Sequence, residues 1–236
     1  MMKLLVVHPK ATCVSARKLA KAIGAETYDL RDGRTEFNGY DMVWNYGSTS
    51  PIYGENMVNR PIAVQRCVDK IQTFEILRRN RIPTVDYTIF KHNVPDSWDS
   101  IVIRDSRTGR KAEGLHFAER GDPLRDGELY TEYFPHVAEY RIVVMFGQVV
   151  GRYKKEVDGP DWNFMPMHPQ GFEQVDWDCE RAADAIGIDY VGFDVLENAK
   201  GKCVIIEGNS GAMMQDEALE YAAKHVNEFV LKLKGY

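Results

Sequence analysis

Hydrophobic and polar positions alternate in two distinct periods along this chain, and the switches between them mark out its elements. Residues 3–8, KLLVVH, form a short apolar run of the kind a buried strand needs. From 12 to 24 the period changes to that of a helix. Ala16, Leu19, Ala20 and Ile23 fall on one face, Thr12 stands where an N-cap belongs and Gly24 where the helix must stop. DMVWNYG at 41–47 reads as a second strand. Strand, helix and strand in that order predict a small open α/β unit reaching to about residue 65.

The segment 68–85, VDKIQTFEILRRNRIPTV, predicts a helix, a break at Pro83 and a strand. SIVIRD (100–105) and ELYTEYF (128–134) predict two more strands, with the polar, basic loop SRTGRKAEG after the first. EYRIVVMFGQVVGRYKKEV (139–157) predicts a hairpin. Gly147-Gln148 suits a type II′ turn, which pairs Phe146 with Val149. Counting from that pair puts Tyr140, Ile142, Val144, Phe146, Val149 and Tyr153 on one face, and Glu139, Arg141, Arg152 and Lys154 on the other. That charged face is either solvent surface or the floor of a phosphate site. A helix over 176–187 turns Cys179, Ala182, Ala183 and Ile186 inward. DYVGFDVLE and KCVIIEGNS predict a strand pair around Lys200-Gly201. Residues 216–233 predict an amphipathic helix on Leu219, Ala222, Val226, Phe229, Val230 and Leu233.

Composition narrows the class. The 236 residues are 44% hydrophobic and 28% charged, as in globular proteins. The net charge is −5, from 30 basic and 35 acidic residues, which argues against a protein that coats nucleic acid. No apolar run approaches the roughly 20 residues of a membrane span, and the N-terminus reads as a first strand rather than a signal peptide. Cys13, Cys67, Cys179 and Cys203 are scattered and form no CxxC pair. A reducing, cytoplasmic setting is expected.

The chemistry is concentrated where the last strand pair ends. Glu207 and Asn209 share a strand face. On the neighbouring strand Asp194 lies on the face opposite Val191, Phe193 and Val195, so pairing brings it near them. Two carboxylates and an amide oxygen suit magnesium, which takes few protein ligands and completes its shell with phosphate oxygens and water. The plain alternative is a polar strand end. Arg141, Arg152, Lys154, Lys70 and the loop 106–114 are candidates to hold the phosphates. His136, His168 and Cys67 read as structural or solvated. Asn45-Tyr46-Gly47-Ser48 and His8 lie at strand ends, where a tight turn and a substrate contact are equal alternatives.

The ordered set DK…ILRRNRIPTV, IVIR, a loop, EYF…E, a hairpin, GFDVL and VIIEGNS resembles that of ATP-grasp enzymes, in particular the carboxylate–amine ligases such as D-alanine–D-alanine ligases and ribosomal-protein glutamate ligases. The likeness covers about 68–214. It implies an α/β (α+β) ATP-grasp fold at 67–236, with a central part at about 84–133 and a C-terminal part at about 134–236, preceded by a small α/β unit at 1–66. It implies that Lys70 and Arg104 contact the phosphates of ATP, Arg104 standing where the family has a lysine. Glu132, with Tyr133 and Phe134, would hold the adenine and Glu139 the ribose. Asp194, Glu207 and Asn209 would bind two magnesium ions, or manganese in their place. Arg141, Arg152 and Lys154 are placed near the transferred phosphate on hairpin geometry. Asn163 and His168 lie where related ligases contact the second substrate. The expected reaction joins a small-molecule, peptide or protein-terminus carboxylate to an amine through an acyl phosphate. A phosphotransferase and a non-catalytic ATP-binding module are the alternatives, and the oligomeric state is open.

Overall fold

A computed structural model describes residues 2–10, 13–109, 114–158, 161–168 and 170–235. The chain opens with β1 (Leu4–His8), α1 (Val14–Ile23), β2 (Glu26–Asp29), β3 (Met42–Asn45) and β4 (Met57–Val58). They form a parallel sheet in the order β2-β1-β3-β4. Ala16, Leu19, Ala20 and Ile23 are the buried face of α1, as the spacing requires, and Gly24 ends the helix at φ 69 with its N–H on the Ala20 carbonyl. The expected cap, Thr12, lies outside the described residues. The edge strand β2 carries the sequence ETYD, too short and polar to announce itself by alternation.

Two helices follow, α2 (Pro61–Val68) and α3 (Lys70–Arg79). Asp69 separates them. Its backbone leaves the helical region at ψ 105, and its side chain accepts from the N–H groups of Ile71 and Gln72. That cap makes Lys70 the first residue of α3. A small antiparallel sheet comes next, β5 (Tyr87–Thr88), β6 (Ser100–Arg104), β7 (Leu115–Glu119) and β8 (Leu129–Glu132), in the order β5-β8-β6-β7.

The largest sheet is antiparallel, ordered β11-β10-β9-β12-β13, from β9 (Ala138–Met145), β10 (Gln148–Asp158), β11 (Asp161–Pro166), β12 (Tyr190–Glu197) and β13 (Cys203–Asn209). Helix α4 (Glu173–Ile186) packs Cys179, Ala182, Ala183 and Ile186 on one face, against Ile142, Val144, Phe193 and Val195. The final helix, α5 (Asp216–Leu233), packs on α1, and a single core joins both to Trp44, Val143, Met145 and Tyr190. The first sheet and the largest sheet therefore share one interior.

Two irregularities correct the expected register. The hairpin turn is Phe146-Gly147, not Gly147-Gln148. Both residues have positive φ, 50 and 82, and Met145 pairs with Gln148. Phe146 accepts this backbone, unusual for a bulky side chain, because its ring stacks on Phe229 at 4.0 Å. A bulge then lies between Val149 and Gly151 on β10. The moved turn shifts the pairing by two and leaves the faces unchanged; the bulge alone reverses the faces expected for the far half of β10. Arg152 stands opposite Ile142 and Lys154 opposite Tyr140, so both leave the face of Arg141. A second register shift lies where Asp194 pairs with Glu207 but Val195 pairs with Ile205. It puts Val204 on the same face as Glu207.

Candidate active site

Three cross-strand rows build the site on the large sheet. The first runs Lys155–Glu139–Leu196–Val204, the second Tyr153–Arg141–Asp194–Glu207, and the third Gly151–Val143–Gly192–Asn209. Facing residues on neighbouring strands point to the same side of the sheet. The first row begins with an ion pair and ends in apolar side chains. Leu196 and Val204 pack with Phe74 of α3, Val85 and Leu129 of β8, so the small sheet closes over this part of the face. The third row ends under the N-terminal unit. Gly192 leaves room there, since a Cβ on it would stand 2.7 Å from the Ala212 methyl and 3.2 Å from Cδ of Arg141.

The second row is the polar centre. Arg141 donates from Nε and Nη2 to the two oxygens of Asp194 at 2.8 and 2.9 Å, and its guanidinium lies 4.3 Å from the centre of the Phe164 ring. Asn209 donates from Nδ2 to Asp194 at 3.3 Å, which leaves its amide oxygen to other partners. Lys70 reaches Glu207 from α3, with Nζ 3.6 Å from Oε1 and 3.1 Å from the Gly109 carbonyl. The loop after β6 is held to that helix start, because the Lys70 N–H donates to the Arg107 carbonyl and Arg107 Nε lies 3.4 Å from Asp69. Arg104, at the end of β6, has a buried Nε with no hydrogen-bond partner among the described residues.

Burial governs the ionisation of this cluster. It lowers the affinity of Lys70 for its proton, opposed by Glu207, and it lowers that of Arg104. It pushes the Glu207 carboxyl upward, opposed by Lys70, Arg104 and Arg141, with Asp194 adding to the rise. Lys70 is only 3% exposed. Three basic side chains meet two acidic ones here, a formal excess of positive charge.

The arrangement is suited to polyanionic phosphate held with a divalent cation. Asp194, Glu207 and Asn209 supply oxygens from one sheet face, and the orphaned Nε of Arg104 supplies an unused buried donor beside them. Among the described residues no group of three His, Cys, Asp or Glu side chains could hold a metal by itself. Two carboxylates and an amide fit magnesium that takes its remaining oxygens from a phosphate chain and water.

Some expected positions change. Arg152 points to α4 and donates from Nε to Asp176 at 2.9 Å. Lys154 is exposed on that same face. The lysine on the cleft face is Lys155, paired with Glu139. Glu132 aligns with Ile101, and Arg104 with Leu129, so Glu132 lies on the face of the small sheet opposite Arg104. Burial, then Asp86, raises the Glu132 carboxyl. The Tyr133 N–H is taken by the Ser100 carbonyl, and Phe134 packs beside Leu196 and Val204. Phe117, unnoticed in the sequence, stands edge-on to Tyr133 at 6.1 Å and is 63% exposed. Its pairing opposite Val102 puts it on the cleft side of β7, a register that the sequence does not announce.

Asn45 is committed to a turn, exchanging hydrogen bonds with the Ser48 backbone at 2.9 and 3.0 Å. His8 is buried, with Nδ1 unpartnered among the described residues. His136 donates from Nδ1 to the Phe134 carbonyl, and His168 is 80% exposed beside Glu217. Cys67 is buried under Gly208, and burial pushes its thiol well up. Arg110 and Lys111 of the loop lie outside the described residues.

No protein-family model matches the chain. The fold is nevertheless that of known enzymes. The chain superposes on the ATP-grasp ligase PsnB with a TM-score of 0.72, over 99% of each chain at 13% identity. It superposes on D-alanine–D-alanine ligase from Bacillus anthracis, complexed with ATP, with a TM-score of 0.65 over 99% of this chain and 96% of that one at 13% identity. The macrocyclase MdnC from Microcystis aeruginosa, bound with its precursor peptide MdnA, gives 0.67 over 98% and 100% at 12% identity. The chain has the ATP-grasp fold.

Sequence relatives lie in the same direction. Beta-citrylglutamate synthase B of Danio rerio is 27% identical over 209 residues, 76% of this chain and 51% of that protein. N-acetylaspartylglutamate synthase A of Homo sapiens is 24% identical over 194 residues, 70% of this chain and 49% of that protein. The chain thus spans about half the length of these two relatives. A probable alpha-L-glutamate ligase of Syntrophotalea carbinolica is 23% identical over 251 aligned positions, covering 85% of this chain and 82% of that protein.

Proposed function

We propose that this protein is an ATP-dependent carboxylate–amine ligase. The observation that carries the reading is the row Arg141–Asp194–Glu207, faced across the cleft by Lys70 and Arg104, in an ATP-grasp fold. Such a cluster stabilises charge on a phosphoryl group in transfer, where positioning and electrostatics supply most of the catalysis.

The substrate carboxylate oxygen attacks the γ-phosphorus of ATP. A new P–O bond forms, the bond to the β,γ-bridging oxygen breaks, and ADP leaves with its electron pair. The amine nitrogen then attacks the acyl carbon, the acyl–oxygen bond breaks, and inorganic phosphate departs while the nitrogen gives up a proton. Lys70, Arg104 and Arg141 bind and orient the phosphoryl oxygens. Lys155 extends this positive edge toward Glu139. Asp194, Glu207 and Asn209 would hold magnesium, two ions or manganese in their place, and the metal would neutralise charge on the phosphates. Phe134, Leu196 and Val204 offer an apolar slot for the adenine, and Phe117 and Tyr133 an aromatic rim.

Glutamate is the amine we favour, because three relatives carry it in their names. The acid is a small polycarboxylate or a peptide. Residues 1–66 serve as a unit that helps to hold the acid, a division supported by their separate parallel sheet. Among the described residues no helix is long and apolar enough to cross a membrane. ATP use and four unpaired cysteines favour a cytoplasmic setting.

The test is ADP release from Mg-ATP with citrate, N-acetylaspartate or pooled peptides as acid, and glutamate or hydroxylamine as amine. Acid-dependent ADP release with amide or hydroxamate formation, lost in Glu207→Gln, is expected. ATP turnover that yields a stable phosphorylated acid and no amide under any amine would overturn the ligase reading.

A further inference from the structure

Arg141 and a divalent cation have claims on the same two atoms. The guanidinium spans both oxygens of Asp194, and Nη2 also lies 2.7 Å from Oδ1. A magnesium ion bonds a carboxylate oxygen at about 2.0–2.1 Å. At that distance it would sit against the arginine fork, with two like charges crowded on one carboxylate. The surroundings add to the conflict. Lys70 and Arg104 approach Glu207, so three basic side chains surround two acidic ones.

We infer that Arg141 makes metal binding depend on the nucleotide: seated on Asp194, it excludes a free divalent cation, and it leaves that carboxylate when a phosphate chain arrives. This rests on the metal reading above. The phosphate oxygens supply what the cluster lacks. They give Arg141 a second anionic partner and bring the charge balance to a value that accepts the metal. Linkage then requires the reciprocal effect, in which metal tightens nucleotide by the same factor.

The packing of Arg141 fits a side chain with two resting positions on one anchor. Its stem runs beside Gly192, where the absence of a Cβ leaves space, and its planar face lies over Phe164. The ring can keep its contact with the guanidinium while the fork turns between acceptors, since a cation–π contact constrains distance to the ring more than direction in its plane. Phe164 is itself fixed, because its carbonyl accepts from Nε2 of Gln215 at the start of α5 at 2.8 Å.

The experiment measures Mn2+ affinity by electron paramagnetic resonance, with and without a non-hydrolysable ATP analogue, which needs no turnover. In the unaltered protein the analogue is expected to raise Mn2+ affinity by about a hundredfold. Arg141→Leu is expected to bind free Mn2+ about tenfold more tightly or better, and to lose most of the coupling to nucleotide. Arg141→Gln keeps a donor toward Asp194 without the charge and should behave as Arg141→Leu does, which guards against a packing defect. Free Mn2+ affinity unchanged in both variants would overturn the inference. Adding Glu207→Gln to Arg141→Leu separates the two layers. If Mn2+ binding persists in that double variant, the metal assignment itself is wrong and the inference falls with it. If it is lost while the single variants match the unaltered protein, only the role of Arg141 is overturned.

Discussion

Lys155 and Glu139 form an ion pair on the cleft face of the large sheet, one residue beyond the lysine that strict alternation selects. The bulge after Val149 shifts the far half of β10 by one residue and carries Lys155 to the face of Arg141. Exchanging Lys155 for methionine should therefore lower kcat/KM for ATP about 10–100-fold, the range for losing a hydrogen bond to a charged group. Lys154→Met should stay within about twofold, because it lies on the other face. Steady-state kinetics of the pair checks this, and equal losses in both would place the wrong lysine in the cleft.

Glu207→Gln should leave the empty fold intact and abolish both turnover and the response to nucleotide. Saturating Mg-ATP at a hundred times its dissociation constant stabilises a binder by about 2.7 kcal/mol. Thermal melts of both proteins with and without Mg-ATP read this directly. A full upward shift in the variant would remove Glu207 from the site.

Asn59 joins the N-terminal unit to the large sheet. Its Nδ2 donates to the Tyr190 carbonyl at 2.7 Å, and its Oδ1 accepts from the N–H groups of Asp189 and Tyr190 at 3.1 and 2.8 Å. It is fully buried and adopts φ 59, a conformation asparagine tolerates better than alanine. Asn59→Ala should cost about 3 kcal/mol, from stranded backbone groups and the lost left-handed preference. Urea denaturation gives the number, and a change within the scatter of surface substitutions would deny Asn59 this role.

Glu132→Gln should change stability with pH. Burial raises the folded carboxyl above its usual 4.5. The folded state then holds that proton more tightly than the unfolded one. The resulting stability is present below 4.5 and is lost as pH rises through the folded value. Glutamine, which carries no charge, escapes the loss. The melting temperature of Glu132→Gln should rise relative to the unaltered protein between pH 4 and pH 7, by an amount set by titration of this one group. A constant difference across that range would show that Glu132 does not feel its burial.

Much of the site could be read directly because its residues sit in regular elements. Asp194, Glu207 and Asn209 lie on strands whose apolar neighbours fix which side faces the core, and the structure brings them within one row of each other. Lys70 follows an aspartate able to cap a helix, and it begins one. Helices α1 and α4 bury the residues that their spacing selects, and α5 buries Ala222, Val226, Phe229 and Val230 of its selected face while Leu219 and Leu233 are half-buried. Local propensity and the hydrophobic period act on neighbours in sequence, so they are written there.

Legible from residue order alone were the main helices with their buried faces, the strands that carry the site and the oxygen-bearing residues at the end of β13; the strands β2, β7 and β11 were not. Only the tertiary structure decided the faces of Arg152, Lys154 and Lys155, the side on which Glu132 lies, and the burial of Asn59 against Tyr190. A bulge adds a single residue to the count, and whether it forms, like where a turn is placed, depends on distant partners. Phe146 holds its unusual backbone because Phe229, 83 positions away in the sequence, stacks on it. A bulged residue reverses every side chain beyond it, so contacts made across the chain settle which charges enter the cleft.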